Sequence, residues 1–281
     1  MKTISRLFAF LCATTFLITA AHATTLYRDP QFKVKVVRNL EYATGAVNQP
    51  AAGKRALSLD LYEPASDVPT KRPAMIAIHG GGFLFGDKSE MTNLCREMAA
   101  RGYVCASINY RLVPDDPPGK AKSREAKTED QYTRTVMAAV DDASHAAHWM
   151  EENAAKYHVD TGRLFIAGSS AGAVVSMLYA YNPEHKAPRV RAVADFWGTM
   201  GPRVTWIKKG GAPLFIVHGT EDDTITVSAA RQIDARAREV GLPHQTFIIE
   251  GMGHSIPLNF EVGGETLLQH LVDFFYKHIG H

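Results

Sequence analysis

Apolar residues recur along this chain with two periods that take turns. Residues 56–62 alternate, with Leu57, Leu59 and Leu61 on one side, which is the period of a strand with one buried face. Residues 74–79, 164–167 and 214–218 are short, nearly continuous apolar runs that suit strands buried on both faces. Further strands are expected at 32–40, 103–110, 190–196 and 245–250. Between them the period lengthens. Over 129–157, Val136, Val140, Ala143, Ala147 and Met150 recur every three or four residues, one face of a long helix. Residues 91–101, 171–181, 227–240 (closed by Gly241) and 265–278 read as helices as well. Strands that alternate with helices predict an α/β fold with a mostly parallel sheet covered on both faces. Such sheets carry their chemistry at the carboxyl ends of the strands. No linker rich in Pro, Gly or Ser divides the pattern, so residues 24–281 read as one domain. One long polar stretch, 111–128, combines Pro114, Pro117, Pro118 and Gly119 with Lys120, Lys122, Arg124 and Lys127. A loop of that length is expected to act as a lid or to be mobile.

The first residues stand apart from this pattern. Lys2 and Arg6 precede an apolar run over residues 7–20, and Ala21-His22-Ala23 supplies a small-x-small cleavage pattern. Residues 1–23 therefore read as a signal peptide, too short in their apolar part for a stable membrane anchor, and the protein is expected to be secreted or periplasmic. Of the 281 residues, 46% are hydrophobic and 21% charged, an ordinary globular composition. The leader holds two of the 31 Lys and Arg residues, so 29 remain against 29 Asp and Glu. That balance disfavours nucleic-acid binding through a basic surface, and no nucleic acid is expected as a partner. Cys95 and Cys105 also remain after the leader. In an oxidising compartment an even pair suits a disulfide, while two buried thiols acting as small apolar residues would serve the core as well.

Four stretches that follow strand ends carry candidate chemistry. Gly168-Ser169-Ser170-Ala171-Gly172 lies between a strand and a helix, the setting of a nucleophile elbow, and in its Gly-x-Ser-x-Gly register Ser170 is the nucleophile and Ser169 the variable residue. His79-Gly80-Gly81-Gly82 exposes backbone N–H groups without side-chain obstruction. It lacks the Gly-Lys-Ser/Thr ending or Gly-x-Gly-x-x-Gly spacing of a phosphate loop. Gly81, Gly82 and Ala171 are the expected oxyanion donors, with His79 as a side chain that shapes the loop. His218-Gly219-Thr220-Glu221-Asp222-Asp223 offers an acid, with Asp222 and Asp223 both in contention and Glu221 behind them. Gly251-Met252-Gly253-His254 offers the base, His254. The chain order Ser, Asp, His belongs to one type of triad and differs from two others that share its geometry. Asp141, His145 and His148 share a helix face, read as solvated; no metal and no cofactor is expected. Phe83, Phe85, Trp197, Met200 and Trp206 flank strand ends and read equally as pocket lining or as packing.

Taken in order, these motifs resemble the α/β-hydrolase carboxylesterases of the hormone-sensitive-lipase and bacterial feruloyl-esterase-like groups. Leu59-Asp60-Leu61-Tyr62-Glu63-Pro64, His79 to Phe83, Gly86-Asp87-Lys88, Asn109-Tyr110-Arg111-Leu112, Gly168 to Gly172, His218 to Asp222 and Gly253-His254 carry the resemblance, which spans about 57–275. It implies an α/β-hydrolase fold with Ser170 as nucleophile, Asp222 as acid, His254 as base, and Gly81, Gly82 and Ala171 as oxyanion donors. It also implies a small-molecule or polymer-linked ester as substrate. Many such hydrolases insert a helical cap where residues 199–211 stand here, and the shortness of that segment predicts a small cap or none. Two other readings share the triad order or the fold: a serine peptidase or amidase of the prolyl-oligopeptidase type, and a non-catalytic binding protein. The triple-glycine run argues against the first and the complete set of triad residues against the second.

Overall fold

The computed structural model describes residues 25–66, 71–118 and 130–280. The signal peptide read at 1–23 and the greater part of the 111–128 loop lie outside the described residues. Eight strands form the main sheet: β1 (Val34–Val47), β2 (Gly53–Pro64), β3 (Arg72–Ile78), β4 (Val104–Ile108), β5 (Val159–Ser169), β6 (Val193–Phe196), β7 (Leu214–Gly219) and β8 (His244–Ile249). Their spatial order is β1-β2-β4-β3-β5-β6-β7-β8. The pairs β1–β2 and β2–β4 are antiparallel, and every pair from β4 to β8 is parallel. Among the described residues six α-helices cover the sheet: α1 (Thr92–Ala100), α2 (Gln131–Glu152), α3 (Ala154–Tyr157), α4 (Ala171–Tyr181), α5 (Ser228–Glu239) and α6 (Leu267–His278).

The strand sequences build both sides of the core at once. Every residue of β3 is buried. Its Ala74, Ile76 and Ile78 join one layer, while Met75 and Ala77 join the other. The same split separates Leu164 and Ile166 from Phe165 and Ala167, and Leu214 and Ile216 from Phe215 and Val217. That is the two-residue period of a pleated strand with helices on both faces. The first layer takes the apolar faces of α2, α4 and α5, including all five periodic positions of α2 from Val136 to Met150. The second takes α1 and α6, with Phe165 stacked on Phe275 at 4.6 Å. Cys95 of α1 and Cys105 of β4 form a disulfide inside this second layer, their Cα atoms 5.3 Å apart. That spacing is the usual one for a bridge.

The boundaries differ from the sequence pattern where tertiary pairing overrides local preference. β1 runs on to Val47, well beyond residue 40, because β2 offers it an antiparallel partner throughout. Its alternation is hidden by two breaks in register, between Val37 and Leu40 and between Glu41 and Ala43, and Asn39 takes a left-handed φ of 56° at the first. The expected helix over 129–157 stops at Glu152. The one-turn α3 follows and ends at His158, whose φ of 55° turns the chain into β5. A small hairpin, β9 (Glu261–Val262) with β10 (Glu265–Thr266), precedes α6, and Gly263 and Gly264 supply the two positive φ angles its turn needs. The segment 199–211 holds a single short 3₁₀ helix, Gly201–Trp206. In the 111–128 stretch, the described part begins as packed structure. Arg111 is buried and makes hydrogen bonds to Asp142 of α2 through both its backbone N–H and its guanidinium.

Candidate active site

β5, β7 and β8 lie side by side with only β6 between the first two, and their carboxyl ends deliver three side chains to one place. Ser170 follows β5, Asp222 follows β7 and His254 follows β8. Ser170 Oγ lies 2.9 Å from His254 Nε2. His254 Nδ1 lies 2.8 and 3.0 Å from the two carboxylate oxygens of Asp222. Since an ionised carboxylate only accepts, Nδ1 carries a proton and Nε2 faces Ser170 as the acceptor. Asp222 is buried, whereas Asp223 and Glu221 on either side are exposed. The difference is made by a turn. Asp222 Oδ1 accepts from the backbone N–H groups of Thr224 and Ile225 at 2.9 and 2.8 Å, which folds the carboxylate inward. Burial alone would raise its pKa. The N–H of Ile225, the His254 ring and the N–H of Thr224 overcome that, and the carboxyl lies below its ordinary value.

The local backbone explains why these residue types occur. Ser170 sits at φ 52° and ψ −117°, a conformation that costs a non-glycine residue energy and projects its side chain off the strand end. Its N–H donates to the Phe196 carbonyl at 2.9 Å. Gly168 and Gly172 serve close packing and not an unusual backbone angle. Neither takes a positive φ. A Cβ on Gly168 would collide with the Gly172 backbone, and one on Gly172 with the Ile78 carbonyl. They permit strand, turn and helix to close on one another. Gly219 does the same between the acid and base loops, where a Cβ would meet the backbone of Met252. The two loops are joined directly, by Glu221 N–H to Met252 O at 2.9 Å and Gly251 N–H to Thr220 Oγ1 at 2.9 Å.

The glycine loop after β3 lies against the serine: a Cβ on Gly80 would come within 3.3 Å of Ser170 Cβ. Gly81 and Gly82 follow at φ 99° and 60°, and Ala171 opens α4, whose positive end favours negative charge beside Ser170. The loop is pinned from beneath. Tyr110 Oη donates to the carbonyls of His79 and Gly80 at 2.9 and 3.1 Å, and its ring stacks on His79 at 4.4 Å. His79 donates Nδ1–H to Gly80 O, and its burial outweighs that bond and lowers its pKa, leaving it neutral and structural. Asn109 ties the same loop's exit, accepting from Lys88 N–H at 2.6 Å and donating to Asp87 at 2.9 Å.

The aromatic residues near strand ends divide. Phe83 and Met200 are buried packing. Phe85, by contrast, is 68% exposed, and with Leu84 and Tyr132 it makes up the large apolar side chains exposed among the described residues. Phe85 N–H donates to Gly81 O at 3.2 Å, and a Cβ on Gly81 would lie 3.2 Å from its ring, which therefore stands beside the glycine loop. Trp206 carries Arg203 over its ring at 5.7 Å. On α2, Asp141, His145 and His148 are exposed. Among the described residues no group of three or more His, Cys, Asp or Glu side chains is arranged to hold a metal ion. Nor, among them, is any helix long and apolar enough to cross a membrane.

Asp195, at the end of β6, is a feature the sequence pattern hides inside an apolar run. It is fully buried; Oδ1 accepts from Gly198 N–H at 2.8 Å and Oδ2 has no partner among the described residues. Burial pushes its carboxyl from 3.8 up to about 7, against the smaller effect of the Gly198 bond. Between those two pH values the folded chain keeps a proton that the unfolded chain has released. The stability this proton contributes is therefore present below about pH 4 and lost as the pH rises towards 7, in total on the order of 4 kcal/mol. Asp195→Asn should remove that dependence. The melting temperature of the variant is expected to gain on the parent as the pH rises from 4 to 8, and parallel curves would refute the assignment.

Comparison with known proteins places these features in a wider set. The family model BD-FAE matches residues 59–200, just over half of the chain. Esterase LipI of Mycobacterium tuberculosis is 28% identical over 120 residues, 42% of this chain and 32% of its own length. The probable carboxylic ester hydrolase LipM of the same organism is 25% identical over 232 residues, 66% of this chain and 50% of its own. The chain thus spans half or less of the length of these two relatives. Among solved structures, esterase 2 of Thermogutta terrifontis phosphorylated by paraoxon superposes with a TM-score of 0.66 at 24% identity, covering 89% of this chain and 95% of that one. A truncated carbohydrate esterase from gut microbiota gives 0.63 at 17% identity, covering 89% and 98%. At such identities the superpositions establish the fold, that of an α/β-hydrolase.

Proposed function

The chain belongs to the BD-FAE family, and on that footing we propose that it is a secreted or periplasmic serine carboxylesterase that cleaves its substrate through an acyl-enzyme. The observation that carries the reading is the continuous relay from Ser170 Oγ through both nitrogens of His254 to Asp222. His254 Nε2 takes the Ser170 proton as Oγ attacks the ester carbonyl carbon. The carbonyl oxygen becomes an oxyanion, held by the N–H groups of Gly81, Gly82 and Ala171. His254 then returns the proton to the departing alcohol, and the acyl group stays on Ser170. Water repeats the sequence with the carboxylate as second product. Asp222 stabilises the imidazolium and fixes its tautomer without taking the proton itself. Each oxyanion donor contributes roughly 3 kcal/mol to lowering the barrier. No metal or cofactor has a part in these steps.

The related names support ester bonds as the target. Phe85, Leu84 and Tyr132 offer an apolar rim to a small-molecule or polymer-linked ester. The apolar leader and the Cys95–Cys105 disulfide support export, since such bridges persist in oxidising compartments. Paraoxon tests the nucleophile directly, because phosphorylation needs an activated serine and no fitting acyl group. Treatment should abolish ester hydrolysis, and peptide mapping should place one diethylphosphoryl group on Ser170. Inactivation without modification of Ser170, or a matched amide cleaved as fast as the ester, would count against the reading.

A further inference from the structure

His218 is a buried imidazole for which the relay gives no role. It is the penultimate residue of β7, with its side chain fully buried, four residues before Asp222. Its Nε2 lies 2.7 Å from the Ile225 carbonyl. A carbonyl oxygen only accepts, so Nε2 bears the hydrogen that faces it. Nδ1 is buried and has no partner among the described residues. The same Nε2 stands 3.1 Å from Asp222 Oδ2, the oxygen that lies 2.8 Å from His254 Nδ1. The titratable groups against Asp222 are thus His218 from β7 and His254 from the loop after β8.

These contacts form one closed unit. Asp222 Oδ1 holds the N–H groups of Thr224 and Ile225, and the carbonyl of Ile225 is in turn held by His218. Without His218 the turn keeps its two internal bonds and loses the bond from Ile225 O to β7. A buried ring nitrogen without a partner is unfavourable for folding, so the imidazole is not explained as a simple filler of space.

We propose that His218 is a positioning residue for ester hydrolysis: its Nε2–H anchors the Asp222–Ile225 turn to β7 and sets its positive edge against the Asp222 oxygen that His254 uses. It touches neither substrate nor the reacting atoms. Its effect reaches the reaction through the placement of Asp222, and therefore of the His254 ring. The inference rests on the esterase reading above.

The test compares His218→Leu, which has no donor, with His218→Gln, whose amide N–H reaches a similar distance. On an aryl ester the leucine variant should lose about 10- to 100-fold in kcat, the scale of a small misplacement in a catalytic group, with KM changed less than about threefold. The glutamine variant should recover most of kcat. An unchanged kcat in the leucine variant, or equal losses in both, would overturn the proposal. Should the leucine variant fail to fold, His218→Asn takes its place. Its shorter amide should not reach Ile225 O, and a kcat equal to that of His218→Gln would overturn the proposal as well. The two readings fail separately. Retained hydrolysis in Ser170→Ala removes the acyl-enzyme reading with Ser170 as nucleophile, whereas an active His218→Leu beside a dead Ser170→Ala removes only the role of His218.

Discussion

Replacing Ser170 with alanine should lower kcat/KM for an activated aryl ester by roughly 10⁴- to 10⁶-fold, the range for removing a serine nucleophile from a working triad. The loss follows from the covalent step, which no neighbouring group can take over. Ser169 is the nearest hydroxyl in sequence, but it is the last residue of β5 and faces the Gly80 region: a Cβ on Gly80 would lie 3.4 Å from Ser169 Oγ. His254 Nε2 is committed to the other serine at 2.9 Å. Ser169→Ala is therefore expected to keep activity within about tenfold of the parent. Alanine at 170 retains a Cβ and the same backbone N–H to Phe196 O, so the fold should be intact, and an unchanged thermal melt would attribute the loss to chemistry. A small residual rate above the uncatalysed one is expected from binding and the oxyanion donors. Activity in Ser170→Ala near the parent's would end the assignment.

Asp222→Asn should cost about 10⁴-fold in kcat, with KM little changed. The amide is nearly the same size as the carboxylate, but it cannot accept on both sides. Oδ1 receives two backbone N–H groups, so the amide oxygen belongs there and the NH₂ turns toward His254 Nδ1 and His218 Nε2. A donor facing Nδ1 forces the His254 proton onto Nε2, and the ring can no longer accept from Ser170. Asp223→Asn is the control. That side chain is exposed and its contact is to Thr224 Oγ1 at 3.2 Å, so kcat should stay within about twofold of the parent. Equal losses at 222 and 223 would show that the turn as a whole, and not the carboxylate on His254, controls the rate.

That pair of neighbours also marks how far the residues speak for themselves. The Gly-x-Ser-x-Gly register selects Ser170 over Ser169, because the motif fixes one position in a strand-turn-helix frame. No comparable frame separates Asp222 from Asp223 along the chain; a turn closed by two backbone N–H groups does, and it exists only once β7 has formed. The order of strands and helices is readable wherever both faces of a strand are buried, as in β3, or where a helix shows one apolar face, as in α2. It is less readable in β1, where bulges scramble the alternation, and in the Gly263-Gly264 hairpin, whose strands are two residues long. Whether Cys95 and Cys105 meet depends on α1 folding back onto β4, a distance that spacing in sequence does not contain. Asp195 escapes notice because it is a lone polar residue in an apolar run, where sequence alone suggests only a strand, whereas His218 is visible at the head of the acid motif but its contact with Ile225 O forms only when the turn closes.

The irregularity of β1 has a consequence for the molecule among its neighbours. It is one of the two edge strands of the sheet, opposite β8, with main-chain groups along the side away from β2. A long flat strand there would invite another chain to pair with it. Its two register breaks and the left-handed turn at Asn39 divide that side into short pieces of differing twist. Lys35, Arg38 and Glu41 place exposed charges along the same strand. An approaching strand would find few consecutive partners in line and would have to strip water from those charges. The same bulges that obscure β1 in the sequence guard this edge of the sheet against pairing with another chain at high concentration.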